Sequence, residues 1–408
     1  MMFFKELLYR GKHIYHFCKT GCWRGFLSQW HYRFPQKKLK IIAITGTDGK
    51  TTSATLLYWI LKQTGHRVGL VSTVAAYIGD RELETGFHVT TPNPRLLNKI
   101  LAQMVAENIE YVVVEATSHG IYQHRLWGIR PFLAGLTNIS HEHLDYHLNM
   151  ENYWRVKASF LARAETVVLN SQDQYFAKLK KFLEPKVAQI FTYSLTERLP
   201  NSVRQAINQR FSQNYNRLNA RLVYRLAQVL SIDNVDFIRA LKSFPGVKGR
   251  MEKIPNRRRL KIFVDFAHTP NALRQALSAL RRQLLAKQKL IAVYGAAGAR
   301  DQSKRPLMGK AGVELADLVV LTSEDPRQEN PWSIIRQMKE QLSEGHDKIV
   351  SIADRREAIA FALNKLARRG DIVAIFGKGH EKSFNVDGVE YPWSDGEIVK
   401  EVLSISKK

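Results

Sequence analysis

From Lys40 onward, short runs of β-branched and aliphatic residues alternate with longer stretches in which apolar positions recur every three or four residues. KIIAIT (40–45) reads as a buried strand, TSATLLYWILKQTG (52–65) as a helix ending at Gly65, VGLVST (68–73) as a strand and YVVVEA (111–116) as another. FLAGLTN (132–138) and TVVLN (166–170) continue the series, with a helical stretch over 151–163 between them. After Pro245-Gly246 the alternation restarts: KIFVDF, a helix over 271–285, LIAVYG, a helix over 306–316, DLVVLTS, a helix over 331–342, KIVSI, a helix over 355–368 and DIVAIFG. Continuous apolar strands separated by helices predict parallel sheets covered on both faces. The pattern therefore predicts an α/β protein with an arm (1–38), a central phosphate-loop domain (39–245) and a doubly wound, Rossmann-like domain (246–408). Neither a solenoid repeat nor a low-complexity tract interrupts it.

Composition narrows the class. The chain has 408 residues, 45% hydrophobic and 24% charged, without an apolar run of about 18 residues, so a disordered or membrane-spanning chain is excluded. Two cysteines cannot build a disulfide framework, and the charged start lacks a secretory signal, which predicts a cytoplasmic protein. A formal net charge of +25 favours polyanionic partners: phosphorylated metabolites, nucleic acid or an anionic membrane face. Residues 1–40 hold nine Lys/Arg against one acid, Glu6, with ten aromatics interleaved. Interrupted apolar stripes (Phe3, Phe4, Leu7, Leu8, Ile14, Tyr15, Phe17, Trp23, Phe26, Leu27, Trp30) suit an interfacial helix on anionic lipid, and equally a helix packed on the body of the protein. His13, His16, Cys18 and Cys22 are too closely spaced for the usual structural zinc arrangement.

Candidate chemistry begins at Gly46-Thr47-Asp48-Gly49-Lys50-Thr51-Thr52, between a buried strand and a helix. Glycines there let backbone N–H groups close around phosphate at a helix N-terminus. Lys50 is expected at the β/γ-phosphates of ATP, and the Thr51 hydroxyl on Mg2+. The G-x-x-G-K-T spacing is shorter than the usual loop, since Ile44 stands in place of the first glycine. Glu115, at the end of YVVVEA, should emerge at the same carboxyl edge, where it serves as a direct or second-sphere Mg2+ ligand or is merely solvated.

ITGTDGKTT, TTPNP (90–94), EATSHGIYQHR (115–125), LTNISHEHLDYH (136–147), Lys157, YNRLN (215–219), PGVKGRME (245–252), VDFAHTPNAL (264–273), RDQSKRPLMG (300–309), SEDPRQE (323–329) and GKGHE (377–381) together resemble, in order, the Mur ligases of cell-wall synthesis, most of all the branch that adds the third residue of the stem peptide. The resemblance covers about residues 38–404. It implies an ATP- and Mg2+-dependent amide ligase: a substrate carboxylate becomes an acyl phosphate, and an incoming amine then displaces phosphate. It further implies that Thr51 and Glu115 hold one Mg2+, and His143 with a carbamylated Lys157 a second. Taken without the resemblance, Lys157 is an ordinary solvated helix residue. Glu142 stands where the family has aspartate.

By the same resemblance Thr90, Thr91, Ser118 and Arg125 bind the muramoyl-peptide acceptor, although Thr90-Thr91-Pro92 alone reads as a turn. Asn216 and Asn219 lie near the nucleotide base, and Asp265 and His268 on a nucleotide-facing loop of the last domain. Arg300, Asp325, Arg327, Gly377 and Glu381 contact the incoming amino acid. Glu324-Asp325-Pro326-Arg327 resembles the D-N-P-R signature for meso-diaminopimelate, with Glu and Asp in place of Asp and Asn; Arg327 favours that substrate, while the extra acid could welcome a second amine.

The family's N-terminal UDP-holding domain is expected to be missing, and 191–215 to be trimmed. The acceptor is then UDP-linked, with the arm or a partner handling the diphosphate, or carried differently, on lipid or none. A folylpolyglutamate-type ligase and a basic NTP-dependent nucleic-acid binder are the rival readings; SHGIYQHR and GKGHE oppose the first, and the lack of a nucleic-acid module the second. The expected partners are the muramoyl peptide and a diamino acid, with peripheral contact to an anionic membrane through 1–38, no nucleic acid, and a monomeric chain.

Overall fold

The computed structural model describes residues 2–83, 91–140 and 142–405, and the chain divides into two compact units, Met1–Pro245 and Gly246–Lys408. The sheet of the first unit has eight strands: β1 (Lys40–Thr45), β2 (Val68–Val71), β3 (Ala76–Ile78), β4 (Arg81–Leu83), β5 (Tyr111–Glu115), β6 (Leu133–Leu136), β7 (Thr166–Asn170) and β8 (Gln189–Tyr193), in the order β4-β3-β2-β5-β1-β6-β7-β8. From β2 to β8 neighbours run parallel, as the buried apolar runs require. The hairpin β3–β4 adds an antiparallel edge absent from the sequence expectation, because its strands are only three residues each. Ile44 lies opposite Glu115 and Gly135 in register. Strands β5, β1 and β6 therefore end together, bringing the loops after Thr45, Glu115 and Leu136 to one edge.

The helix Lys50–Gln63 buries Leu56, Leu57, Ile60 and Leu61, and ends just before Gly65, whose φ is +84°. On the opposite face Ile41, Ala43, Val112, Val114, Ala134 and Val167 join Leu97, Leu101, Tyr153 and Phe160 in one core. Each such aliphatic side chain contributes ~1.5–3 kcal/mol by leaving water.

The arm is helical: Met2–His16, a π-helical stretch Phe17–Gly25, and Phe26–His31. Of the two placements open to it, packing on the body is observed. Tyr9 stacks on Tyr122 at 4.7 Å between ring centroids, and the Ser28 hydroxyl donates to the carbonyl of Pro94 at 3.0 Å.

The second unit has the strands β9 (Glu252–Ile254), β10 (Lys261–Asp265), β11 (Leu290–Tyr294), β12 (Leu318–Leu321), β13 (Ile349–Ser351) and β14 (Ile372–Phe376), in the order β13-β12-β11-β14-β10-β9. All pairs are parallel except β10 with β9. A separate hairpin, β15 (Ser383–Val386) with β16 (Val389–Pro392), follows. The helix expected over 355–368 is α-helical only over Arg355–Phe361 and continues as a π-turn, Ala362–Leu366. Arg355 and Asp395, both fully buried, pair through two hydrogen bonds of 2.9 and 2.7 Å, and Arg355 also donates to the carbonyls of Ser323 and Phe376. That guanidinium ties the carboxyl ends of β12 and β14 to the last helix, Asp395–Ile405. Among the described residues no helix is long and apolar enough to cross a membrane.

Candidate functional site

The loop after β1 turns sharply at Gly46 (φ +144°) and Gly49 (φ +79°), conformations open to glycine at little cost. A side chain at Gly46 would strike Thr137, and one at Gly49 would strike Asn219, so both positions also require close approach. Asn138 clasps the loop. Its carbonyl accepts the Thr47 N–H (2.8 Å), its side-chain oxygen accepts the Asp48 N–H (3.1 Å), and its amide donates to the Asp48 carbonyl (3.0 Å). Thr47 Oγ1 lies 3.0 Å from the Tyr153 hydroxyl and accepts the Ser140 N–H at 3.0 Å. Neither Asn138 nor Tyr153 was singled out from the sequence; Asn138 sits inside the segment 136–147, but its role depends on the β1–β6 register.

Two lysines converge on this loop. Lys50 donates to the Thr47 carbonyl at 2.5 Å, and Lys157 to the Gly46 carbonyl at 2.6 Å. Lys157, read from the bare sequence as a solvated helix residue, is instead fully buried at the centre of the helix Met150–Leu161. Burial, reinforced by the charge of Lys50, holds its amine well below the usual lysine range, while Glu142 and Asp48 act the other way. The Thr51 hydroxyl, in the first turn of the helix Lys50–Gln63, lies 3.1 and 3.0 Å from the two carboxylate oxygens of the buried Glu115. Glu115 also accepts the Thr73 N–H at 3.0 Å, so it is held in place rather than solvated. Thr52 follows, half-buried, in the same turn.

His143 has left-handed backbone (φ +55°), lies 3.7 Å from Glu142, and meets His119 edge to face at 4.6 Å. Behind it is His147, buried, with Nδ1 3.1 Å from the Tyr9 hydroxyl. Burial, then the neighbouring His119, Lys157 and His143, pushes its pKa down to about 2, so it is neutral throughout the physiological range. Lys50, Glu115 and Lys157 are thus drawn to the carboxyl edge around a single loop, while His143 stands beside Glu142 and His119.

Of the residues expected to bind the acceptor, Thr90 lies outside the described residues. Thr91 Oγ1 is 2.9 Å from Thr117 Oγ1, and its carbonyl accepts from Arg125 at 2.8 Å. Thr117 caps the short helix Ser118–Tyr122 by accepting the Gly120 N–H, which leaves Ser118 buried in its first turn. Burial lowers the pKa of Arg125. Asn219 is buried against Gly49, whereas Asn216 donates to Gln213 at 3.3 Å one turn earlier.

In the second unit, Asp265 turns its buried carboxylate inward to accept the N–H groups of Met251 (2.6 Å) and Ala267 (2.8 Å), so it braces its own turn. His268 Nδ1 is 2.9 Å from the Phe266 carbonyl, and Lys304 donates to the His268 carbonyl at 2.8 Å. Asp325 (φ +41°) and Arg327 (φ +53°) flank Pro326 in strained, left-handed backbone. The β15–β16 hairpin holds them there. Asp325 accepts the Asn385 N–H at 3.0 Å, the Arg327 N–H donates to the Asn385 carbonyl, and the Asp387 N–H donates to the Arg327 carbonyl.

Buried Lys378 joins Asp325 (2.7 Å) to Glu381 (2.6 Å). Lys378 was not picked out from the sequence, and Glu324 entered only as the first position of the 324–327 signature. One carboxylate oxygen of Glu324 is buried without a hydrogen-bond partner and abuts Gly377 (φ +110°), and burial raises its pKa to about 7. Arg327 donates weakly to the Gly298 carbonyl at 3.3 Å, and Arg300 is exposed on the neighbouring turn.

Residues 44–229 match the Mur ligase middle domain, and residues 249–379 match the Mur ligase, glutamate ligase domain. A UDP-N-acetylmuramoyl-L-alanyl-D-glutamate--2,6-diaminopimelate ligase from Bacteroides fragilis is 37% identical over 395 residues, spanning 92% of this chain and 80% of its own. The enzyme of the same name from Aquifex aeolicus is 38% identical over 391 residues, spanning 90% and 78%. A solved structure of such a ligase is 30% identical with a TM-score of 0.62, covering 94% of this chain and 83% of that one. A folylpolyglutamate synthase from Mycobacterium tuberculosis shares the fold at a TM-score of 0.68 and 17% identity, over 88% and 92% of the two chains.

Proposed function

Because the chain belongs to the Mur ligase family, and is thus an ATP-dependent acid–amino-acid ligase, we propose that it joins meso-diaminopimelate to a muramoyl dipeptide in peptidoglycan precursor synthesis. The relatives named for this activity support the substrate assignment, and so does Arg327 in the 324–327 segment. The observation that carries the reading is the cluster at the carboxyl edge, where Thr51 meets Glu115 and buried Lys157 rests on the Gly46 carbonyl.

The acceptor carboxylate attacks the γ-phosphorus of ATP, the bond to the β-phosphate oxygen breaks, and ADP leaves. The incoming amine then attacks the acyl carbon, inorganic phosphate departs with the C–O bond electrons, and the ammonium loses a proton to form the amide. Transfer between two anions needs fixed positive charge and in-line placement. Lys50 supplies charge at the phosphates, the N–H groups at the start of the helix Lys50–Gln63 orient them, and Arg125 with Thr91 and Ser118 orients the acceptor. In the second unit, Arg327 is proposed to hold the distal carboxylate and Glu381 the distal ammonium.

The oxygens of Thr51 and Glu115 form a hard donor set suited to Mg2+, and a depressed Lys157 amine is the neutral nucleophile that adds CO2, releasing a proton to give a carbamate. Thr51 and Glu115 would hold one ion, and His143 with carbamylated Lys157 a second; bound Mg2+ offsets the charge of the phosphates. The chain is proposed to act as a monomer in the cytoplasm, peripheral to the inner membrane surface through residues 1–38. A panel of amino acids, assayed for ADP release with a muramoyl-dipeptide acceptor, tests the assignment. Release should be fastest with meso-diaminopimelate, and ADP release with none of them rejects the reading.

A further inference from the structure

Fourteen large hydrophobic side chains stand exposed among the described residues, and eight of them (Leu8, Ile14, Tyr15, Phe17, Trp23, Phe26, Leu27, Trp30) fall within one 23-residue stretch of the arm. Of these eight, Trp23 and Trp30 are the most open, at 67% and 66% exposure. This is not an unfolded tail, because the opposite face of the same helices is fastened to the body. The Tyr122 hydroxyl donates to the Tyr9 carbonyl, His13 packs on Tyr122 and His124, and Phe17, partly exposed at the boundary of the two faces, touches Trp127 with one edge. Gly21 and Gly25 lie against the Trp127 ring so closely that a side chain at either would collide with it. Gln29 donates to the Trp127 carbonyl, and Asn98 donates to the Ser28 hydroxyl. Held in this way, the arm cannot rotate to bury its outer aromatics.

Interleaved with that apolar row are exposed Arg10, Lys12, Lys19 and Arg24, and exposed Arg33, Lys37 and Lys38 follow it. We propose that this outward face is a docking surface for an anionic lipid bilayer, with Trp23, Phe26, Leu27 and Trp30 entering the headgroup–acyl boundary and the cations resting on phosphate. The inference deepens the peripheral contact proposed above by naming the face and the side chains that enter the bilayer, and it does not depend on the ligase chemistry. Charge complementarity selects the partner. A second copy would bring a like-charged face against this one, and a nucleic acid would use the cations and the flat rings but leave Leu8, Ile14 and Leu27 in water. Tryptophan and aliphatic side chains beside lysine and arginine match the interfacial zone, where the rings sit at the headgroups. Tyr9, on the inner face, reaches His147, so a docked arm would hold the first unit with its loop cluster beside the lipid surface.

The test is co-sedimentation of the full chain with phosphatidylcholine vesicles that contain or lack phosphatidylglycerol. Binding is expected only to the anionic vesicles and should weaken as salt rises. Arg24→Glu and Lys19→Glu should each lower the vesicle partition constant at least roughly fivefold. The pair Trp23→Ser and Trp30→Ser should abolish salt-resistant binding while leaving the melting temperature unchanged. Lys50→Ala should bind as the parent does, which separates failure of this proposal from failure of the ligase reading. Equal binding by parent and charge-reversal chains, no binding to anionic vesicles at low salt, or tighter binding to a single-stranded oligonucleotide than to anionic vesicles would each overturn it.

Discussion

The two candidate sites handle charge in opposite ways. Around the loop after β1 in the first unit, Lys50 donates to a backbone carbonyl of the loop itself, so its amine is positioned by a dipole while its charge stays available to an incoming anion, and the buried Lys157 amine, held towards its neutral form, rests on the Gly46 carbonyl. Around the 324–327 segment of the second unit, Lys378 is bonded to Asp325 and Glu381, Arg305 to Glu329, and Arg355 to Asp395. There most of the charge is already compensated by protein. The first arrangement suits a highly anionic ligand that brings its own countercharge. The second suits a zwitterion, whose ammonium and carboxylates must each compete with an internal partner; such competition sharpens selection because a poorly matched substrate leaves a buried group unpaired.

The contrast breaks most easily at its first term. Lys50→Ala should lower ADP release on the order of 10^3-fold, the effect of losing a preorganised charge at a transition state. Turnover near the parent rate would show that the loop amine is not positioned for phosphate. On the other side, Arg355→Ala leaves Asp395 buried without its cation, with only the Trp393 indole N–H still donating to it, and should cost the second unit about 3–5 kcal/mol. In calorimetry that appears as one early transition with the other unchanged; a uniform shift of both would mean the pair does not act within its own unit.

Smaller effects sharpen the comparison. Lys157 should depend on CO2: degassed buffer should lower activity, bicarbonate should restore it, and Lys157→Ala should regain part of its rate with added short carboxylates. Insensitivity to all three treatments would exclude the carbamate. Arg327→Ala should reduce kcat/KM for meso-diaminopimelate by roughly 10–200-fold, leaving KM for ATP unchanged; equal use of lysine and diaminopimelate by parent and variant would remove Arg327 from substrate selection.

Glu324 gives the mildest test. Its folded pKa, about 7, lies above the ordinary glutamate value of 4.5, so the folded state binds more protons than the unfolded one between these values, and stability falls as pH rises through that window. Glu324→Gln should flatten that slope and stabilise the second unit at pH 8 by roughly 1–3 kcal/mol. An unchanged pH profile would show that the carboxylate is solvated.

The sequence by itself determined the alternation of buried strands and helices, the break at Pro245-Gly246 and the phosphate loop, because strand period, glycine spacing and helix start are local and each leaves a mark on neighbouring residues. Local signals also placed Glu115 at the carboxyl end of its strand. Local pattern had no means of showing that Glu115 is pinned by Thr51 and Thr73, or that Asn138 clasps the loop; these contacts follow from the register of β5, β1 and β6, which strand composition leaves unspecified. Nor could it show that Lys157 is buried: its helix carries charged neighbours on other faces, and only packing against the loop removes this one amine from water. The same holds for Lys378 between Asp325 and Glu381, and for the arm, whose composition suited lipid or protein equally until tertiary contacts fixed one face inward and left the other open. Local sequence sets what each segment can form, but burial and charge pairing are properties of segments distant in the chain, and only the folded arrangement supplies them.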